Sequence, residues 1–354
     1  MSSTTVRTPL YSLHIENGAS LAPFMGCLMP VDFGNADAEH IAVRTEAGLF
    51  DANHRCEAIF RGADVLKNLE NLLCSSVSSL QEGYICRSLM LNLQGGVMDD
   101  VQLYHTGENE YRLAMHTLNR EKDLRHIRRQ LTGDVEVTEA EDECRLSLDG
   151  PKARRILAVL AEAVPDTPGR FIHTHVNGIP CRITYIGFAG EEGYGLCCAA
   201  ADGKKLYRLL VEKGVCKCGT RSFHSLRLEA GHSLYGMEMD DAVSPLETGF
   251  RRLVQLEKRS FVGRDALIAA GEPRRARIGL ILREGVADCG MAVIHRDKEV
   301  GSITSGAYCP YLGVSAALAL VETPYRETGR TLRVEAGNQL LEATVVELPF
   351  YSRS

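Results

Sequence analysis

The chain has 354 residues, 24% of them charged and 45% hydrophobic, and its 40 Lys+Arg against 46 Asp+Glu give a formal net charge of −6. That length exceeds one small fold, and the hydrophobic share excludes a disordered chain. Mild acidity excludes a general polyanion binder, so nucleic acid and anionic membrane are not expected partners, although local basic patches stay open.

No run approaches ~18 consecutive apolar residues, so no membrane-spanning helix is expected. Met1–Leu10 lacks an apolar core followed by a small-residue cleavage site, which points to the cytoplasm. Twelve cysteines would suit disulfides in a secreted protein, but a chain of this size builds a core without them. Reduced, mostly buried thiols are expected, such as Cys74 in the apolar run Asn71–Cys74.

Helix signals come first from Asn35 to Gly48, which opens on capping residues and closes on glycine. Val65, Leu66, Leu69, Leu72 and Leu73 recur at helical spacing between Asp64 and Cys74. Glu121–Leu131 reads as a helix with a solvated basic face of Lys122, Arg125, Arg128 and Arg129. Gly150–Leu160 carries Pro151 at a helix start, and Lys204–Val211 and Phe223–Ala230 add two more helices. Short extended segments at Glu57–Phe60, Gln102–His105, Tyr111–Met115 and Pro180–Tyr185 lie between them. After about Lys258 the pattern turns to strands and turns: Arg277–Leu282, Met291–His295, Val300–Thr304, Ala316–Val321, Thr331–Val334 and Glu342–Glu347. The expected class is α+β with antiparallel sheets and a separate C-terminal all-β domain, joined through a linker at Gly271–Arg275.

No GxxxxGK[ST] loop, no GxGxxG after a strand and no GxSxG elbow is present, which leaves nucleotide-driven and elbow-serine chemistry unsupported. Gly95-Gly-Val-Met-Asp-Asp100 places two carboxylates after a glycine turn, at the start of an apolar strand. Alternation along a strand lets one of Asp99 and Asp100 be buried while the other meets solvent, and a buried one can hold a proton or stabilise a cation. Turn capping is the simpler role for the pair. Ile186–Gly195 is a glycine-rich loop around Glu191 and Glu192. A carboxylate there can accept parallel hydrogen bonds from an N–H/NH₂ edge such as a pterin's, or merely decorate a charged hairpin. His173 and His175 share one strand face, but neither they nor Cys197-Cys198 and Cys216-Lys-Cys218 stand at metal-site spacing, so no metal is expected. Cys27 reads as a packed thiol rather than a nucleophile.

Taken in order, these segments and their neighbours resemble the aminomethyltransferase family, the T-protein of the glycine cleavage system, along nearly the whole chain. The matching stretches are Thr8–Tyr11, Met29–Val31, Ala42–Asp51, Met90–Asp100, Asn119–Asp123, Gly190–Gly193, Leu226–Ala230, Leu234–Gly236, Phe261–Leu267, Thr304–Gly306 and Pro349–Tyr351. The resemblance implies a three-domain cloverleaf around a central tetrahydrofolate channel. Its first domain would comprise 1–54 with 143–258, its second, inserted domain 55–142, and its jelly-roll-type, barrel-like β domain 272–354. It also implies one-carbon transfer to folate N5: an aminomethyl group leaves a lipoyl arm, ammonia departs and methylenetetrahydrofolate forms. Asp100 takes the family's catalytic aspartate position, where a carboxylate stabilises an iminium-like carbon and relays a proton. Glu191 takes the position of the pterin-edge glutamate, and Arg227 and Tyr235 match positions near the folate channel.

The chain departs from the family pattern on the side facing the donor. Asp-Val-Ser-His-Met-Gly becomes Asp51-Ala-Asn-His-Arg-Cys56, a tyrosine before the glycine pair becomes Arg87, and an asparagine becomes His116. Tryptophans become Cys27 and Arg252, and Gly-Tyr-Thr-Gly-Glu becomes Gly187-Phe-Ala-Gly-Glu191. Arg55 and Arg87 would accommodate an extra anion, and His116 could act as acid or base, unless these side chains point outwards or pair locally. The leading expectation is therefore the aminomethyltransferase of glycine cleavage, with a lipoyl carrier (H-) protein as a partner. The alternatives are a tetrahydrofolate-dependent demethylase of a small, anionic methyl donor and a folate-binding protein without transfer activity.

Overall fold

The computed structural model describes residues 5–353; Met1–Thr4, at the head of the Met1–Leu10 segment, and Ser354 lie outside them. The described chain divides into two compact units. One holds the residues up to Leu72 together with Val77–Ser88 and Val101–Phe223, and the other holds Leu73–Ser76, Leu89–Asp100 and everything from His224 onwards.

The first unit is built on a six-stranded sheet in the order Phe171–Val176, Ile179–Tyr185, Gly193–Ala199, Glu143–Asp149, Gly48–Asp51 and Cys216–Cys218. Successive residues of a strand face opposite sides, so Cys144, Leu146 and Leu148 form one apolar face. Against it pack Leu13 of the helix Tyr11–Glu16, Leu157 of Ala153–Leu160, and Leu206 and Leu210 of Ala200–Glu212. The last two stand four residues apart, the spacing that stacks side chains on one helix face. The helix Ala36–Thr45 starts where the Asn35 side chain accepts the Ala38 N–H, and it ends with Arg44 in its last turn. Acidic residues at its start and a cation at its end suit the helix dipole.

A five-stranded sheet follows the order Ile85–Leu91, Val97–Gly107, Glu110–His116, Arg55–Arg61 and Glu136–Glu139. The helix Arg120–Gln130 buries Leu124 and Ile127 and exposes Arg125, Arg128 and Arg129 of the expected basic face, while Lys122 of that face is half-buried. A smaller sheet joins Val6–Arg7, Cys27–Asp32 and Ser20–Phe24.

The second unit contains a closed barrel of six antiparallel strands: Arg275–Leu282, Val314–Glu322, Lys298–Cys309, Ala292–His295, Thr331–Ala336 and Gln339–Val346. Ile278, Leu280, Val293, Ile303, Val321, Val334 and Val345 fill its core. Each strand contains or overlaps one of the six expected from sequence. The linker falls between the helix Arg264–Ala270 and the first barrel strand. A second apolar cluster in this unit gathers Cys74, Leu89, Leu91, Val97, Tyr235, Phe250 and Phe261.

The protein is thus α+β with a C-terminal β barrel, as expected. No helix among the described residues is long and apolar enough to cross a membrane. The cysteines are free thiols, with Cys27, Cys74, Cys144, Cys181, Cys198, Cys218 and Cys309 buried.

Candidate active site

Glu191 stands on the hairpin between the antiparallel strands Ile179–Tyr185 and Gly193–Ala199. Its Oε1 lies 3.1 Å from Arg44 Nη1, with side-chain exposures of 2% and 0%. The same Arg44 nitrogen donates to the Ala189 carbonyl at 2.6 Å. The helix Ala36–Thr45 thereby delivers a cation that compensates the glutamate and fixes the hairpin backbone beside it. Phe188, three residues before Glu191, inserts into an aromatic cluster, 4.3 Å from Phe223 and 5.0 Å from Phe50 between ring centroids. Glu191 is therefore no solvated hairpin charge; it is held buried by partners from elsewhere in the same unit.

The aromatic cluster continues through His54, whose ring meets Phe24 at 5.4 Å and Phe223 at 6.1 Å. His54 stacks on His116 at 6.2 Å with 25° between planes, and His116 is fully buried. In the antiparallel pairing of Arg55–Arg61 with Glu110–His116, Arg55 stands directly opposite His116. Cross-strand partners project to the same side of a sheet, so Arg55 and His116 form one neighbouring pair. Both Arg55 and Arg87, on the strand Ile85–Leu91, are half-buried.

In the second unit, Gly95 adopts φ +83° and Gly96 approaches Asp241 so closely that a Cβ there would collide with its carbonyl oxygen. Asn92 Nδ2 donates to that same oxygen at 2.7 Å, and its Oδ1 accepts the Gly96 N–H at 3.0 Å. The glycine pair is thus required for the clamp that starts the strand Val97–Gly107, and with it Asp99 and Asp100. Both aspartates are buried, 0% and 5% exposed, which corrects the expectation that one of them meets solvent. Simple alternation assumes one bare sheet face, whereas Val97–Val101 is buried without interruption. The Asp100 N–H donates to Asp99 Oδ1 at 2.9 Å, so the first aspartate helps set the backbone of the second.

Arg227, on the helix Thr220–Glu229, is buried among hydrogen-bond partners. Its Nη1 donates to Glu238 Oε2 at 2.8 Å and to the His232 carbonyl at 3.0 Å, and its Nη2 reaches His224 Nδ1 and Ser305 Oγ. Glu238 also accepts from Thr304 Oγ1 and from the Leu234 N–H, which adjoins Tyr235. Burial and the Arg227 charge push His224 down to about 4, so the imidazole beside that guanidinium is neutral near pH 7. Tyr235 belongs to the same apolar cluster as Leu89 and Leu91 and as Val97, the first residue of the strand that carries Asp100.

His173 and His175 share a face, both exposed, and His175 Nδ1 lies 3.1 Å from Glu162. Cys27 is buried, and that burial pushes its thiol up to about 11, the opposite of an activated nucleophile. Arg252 is exposed.

Residues 10–258 match the GCVT N-terminal domain, and residues 275–352 match the Glycine cleavage T-protein C-terminal barrel domain. The chain belongs to the glycine cleavage T-protein family. It is 39% identical to the aminomethyltransferase of Rubrobacter xylanophilus, covering 99% of this chain and 95% of that one. It is 35% identical to the aminomethyltransferase of Listeria welshimeri, covering 99% of both chains. Among solved structures it is similar to glycine cleavage system aminomethyltransferase T from Bartonella henselae, with a TM-score of 0.92 and 26% identity over 98% of each chain.

Three T-protein residues of this site escaped sequence reasoning. Arg44 lay inside a matched stretch, but nothing local marked it as the partner of a glutamate 147 positions away. His54 was visible only as one letter of an altered motif. Asp149 ends a strand as an ordinary residue of alternating pattern, yet it is fully buried against the Glu191 hairpin.

Proposed function

We propose that this T-protein family member is the aminomethyltransferase of glycine cleavage, acting on an aminomethylated lipoyl carrier protein and tetrahydrofolate in the cytoplasm. The observation that supports this most is similarity to aminomethyltransferases over 99% of the chain. We assign residues 1–54 with 143–258, 55–142 and 272–354 to the three domains of that architecture.

The residues fit tetrahydrofolate chemically. Glu191 is a buried, charge-compensated acceptor on a glycine-flanked hairpin, suited to a donor edge of N–H and NH₂ groups. When bound, tetrahydrofolate supplies the N5 nucleophile that takes up the one-carbon unit. Asp100 stabilises positive charge developing on the aminomethyl carbon as ammonia leaves, and it accepts a proton at its carboxylate. A buried carboxylate does this better than a solvated one, because its charge is not screened by water. Arg227 supports Tyr235 at the folate side through Glu238 and the Leu234 N–H. Arg55, Arg87 and His116 line the donor side, where the neighbouring Arg55 and His116 confer their own donor preference.

Ammonia release tests this reading. Mixing the purified protein with aminomethylated lipoyl carrier should release ammonia only when tetrahydrofolate is present. Absence of tetrahydrofolate-dependent ammonia would overturn it.

A further inference from the structure

Asp149 closes the strand Glu143–Asp149 with its side chain wholly buried. Its Oδ2 accepts the Ser147 hydroxyl at 2.6 Å, and its Oδ1 accepts the Phe188 N–H at 3.3 Å. Phe188 lies in the hairpin that carries Glu191. Gly187 and Gly193 bracket the neck of that hairpin; a Cβ on Gly193 would run into Asp149 Oδ1, and one on Gly187 would be crowded at 3.0 Å from the same oxygen and 2.9 Å from the Glu191 carbonyl oxygen. The carboxyl group therefore occupies a notch that only two glycines leave open. The next residue reinforces the grip, since the Gly150 N–H donates to the Glu192 carbonyl at 2.8 Å.

We propose that Asp149 is a positioning residue for the reaction, acting through the neck of the hairpin to hold Glu191 in register for the N–H edge of the folate. The proposal rests on the assignment of Glu191 made under the proposed function. Asp149 works through the Phe188 backbone and the charge balance around Arg44.

That balance is sensitive to a proton. Arg44 comes from the helix Ala36–Thr45, Glu191 and Glu192 from the hairpin, and Ser147 from the strand of Asp149 itself. Gly48, opposite Asp149 on the neighbouring strand, contributes no charge. Burial pushes Asp149 up to about 7, against the hydrogen bonds of Ser147 and Phe188 and the Arg44 charge, with Glu191 adding to the rise. With its proton on, Asp149 leaves Arg44 to Glu191. With its proton off, a second buried anion competes for the same guanidinium.

The experiment is calorimetric titration of the full-length protein with tetrahydrofolate, under anaerobic conditions and from pH 6 to 8.5. Wild type, Asp149→Asn, Asp149→Ala and Glu191→Gln are compared. Wild-type Kd should weaken severalfold across a midpoint of about 7. Asp149→Asn keeps the shape without the titration, so its Kd should be flat over this range. Asp149→Ala should weaken Kd about tenfold at every pH, while kcat at saturating tetrahydrofolate changes much less. A wild-type pH profile retained in Asp149→Asn would overturn the proposal, and that arm decides alone if Asp149→Ala fails to fold. Weakened binding in Glu191→Gln with wild-type binding in a folded Asp149→Ala would overturn the proposal and leave the Glu191 assignment standing. Wild-type binding in Glu191→Gln would overturn that assignment, and this proposal with it.

Discussion

Arg44 Nη1 lies 3.1 Å from Glu191 Oε1, with side-chain exposures of 0% and 2%, across 147 positions of sequence. Removing one member of such a pair strands a buried charge, which costs about 3–5 kcal/mol. Arg44→Met should therefore lose stability on that scale in urea titrations. The double variant Arg44→Met/Glu191→Gln should recover part of the loss. Strict additivity of the two single changes would show that the pair is not coupled.

Asp100→Asn keeps the size of the side chain and removes its charge. The transfer rate should fall by about 10²–10⁴, the usual contribution of a positioned acid or base, while tetrahydrofolate binding is largely retained. Steady-state and single-turnover rates with aminomethylated lipoyl carrier check this. A variant within about tenfold of wild type would remove Asp100 from the chemistry.

Glu57, 2% exposed, sits among Arg112 of the adjacent strand and Arg182 and Arg145 of the six-stranded sheet, all in the first unit. Burial alone would raise its pKa, but the Arg182 and Arg145 charges prevail and hold the carboxyl at about 2. A depressed carboxyl contributes stability above its ordinary value of 4.5, and that contribution is lost as pH falls through about 2. Glu57→Gln should cost about 3–5 kcal/mol at pH 7, with the gap from wild type narrowing below about pH 4. Denaturant titrations at several pH values measure it; a gap independent of pH would contradict the ion-pair account.

Asp149 behaves in the opposite sense. Its carboxyl is raised from 3.8 to about 7, so the folded state favours the proton. The stabilisation is complete below 3.8 and lost as pH rises through about 7, leaving a buried charge above it. Asp149→Asn should consequently be more stable than wild type at pH 8, by a few kcal/mol at most, with the advantage vanishing toward pH 4. Melting temperatures across that range report it, and an equal difference at both ends would contradict the assignment.

Sequence periodicity located elements whose apolar faces repeat, such as Val65, Leu69 and Leu72 in the helix Val65–Leu72 and the six barrel segments, but not the seven-residue strands Ile85–Leu91, Glu143–Asp149 and Gly193–Ala199. It passed over Gly48–Asp51 and Cys216–Cys218, which at four and three residues are too short to display a period. The Asp99-Asp100 pair and the Glu191 loop stood out because glycine punctuation and paired carboxylates are local signals. Their environment did not, since burial of both aspartates depends on what covers each face of the strand. Arg44, His54 and Asp149 are meaningful only through partners far along the chain, and no spacing rule reaches them.

The most direct test of the central claim is a single-turnover experiment with ¹³C-labelled aminomethyl-lipoyl carrier protein, unlabelled tetrahydrofolate and excess enzyme. Carbon NMR follows the label, and wild type is compared with Asp100→Asn. Wild type should move the label into the methylene bridge of methylenetetrahydrofolate, with one ammonia released per label transferred, and Asp100→Asn should leave it on the lipoyl arm. A label that stays on the carrier with wild type, while a methyl donor yields methyltetrahydrofolate, would contradict the account.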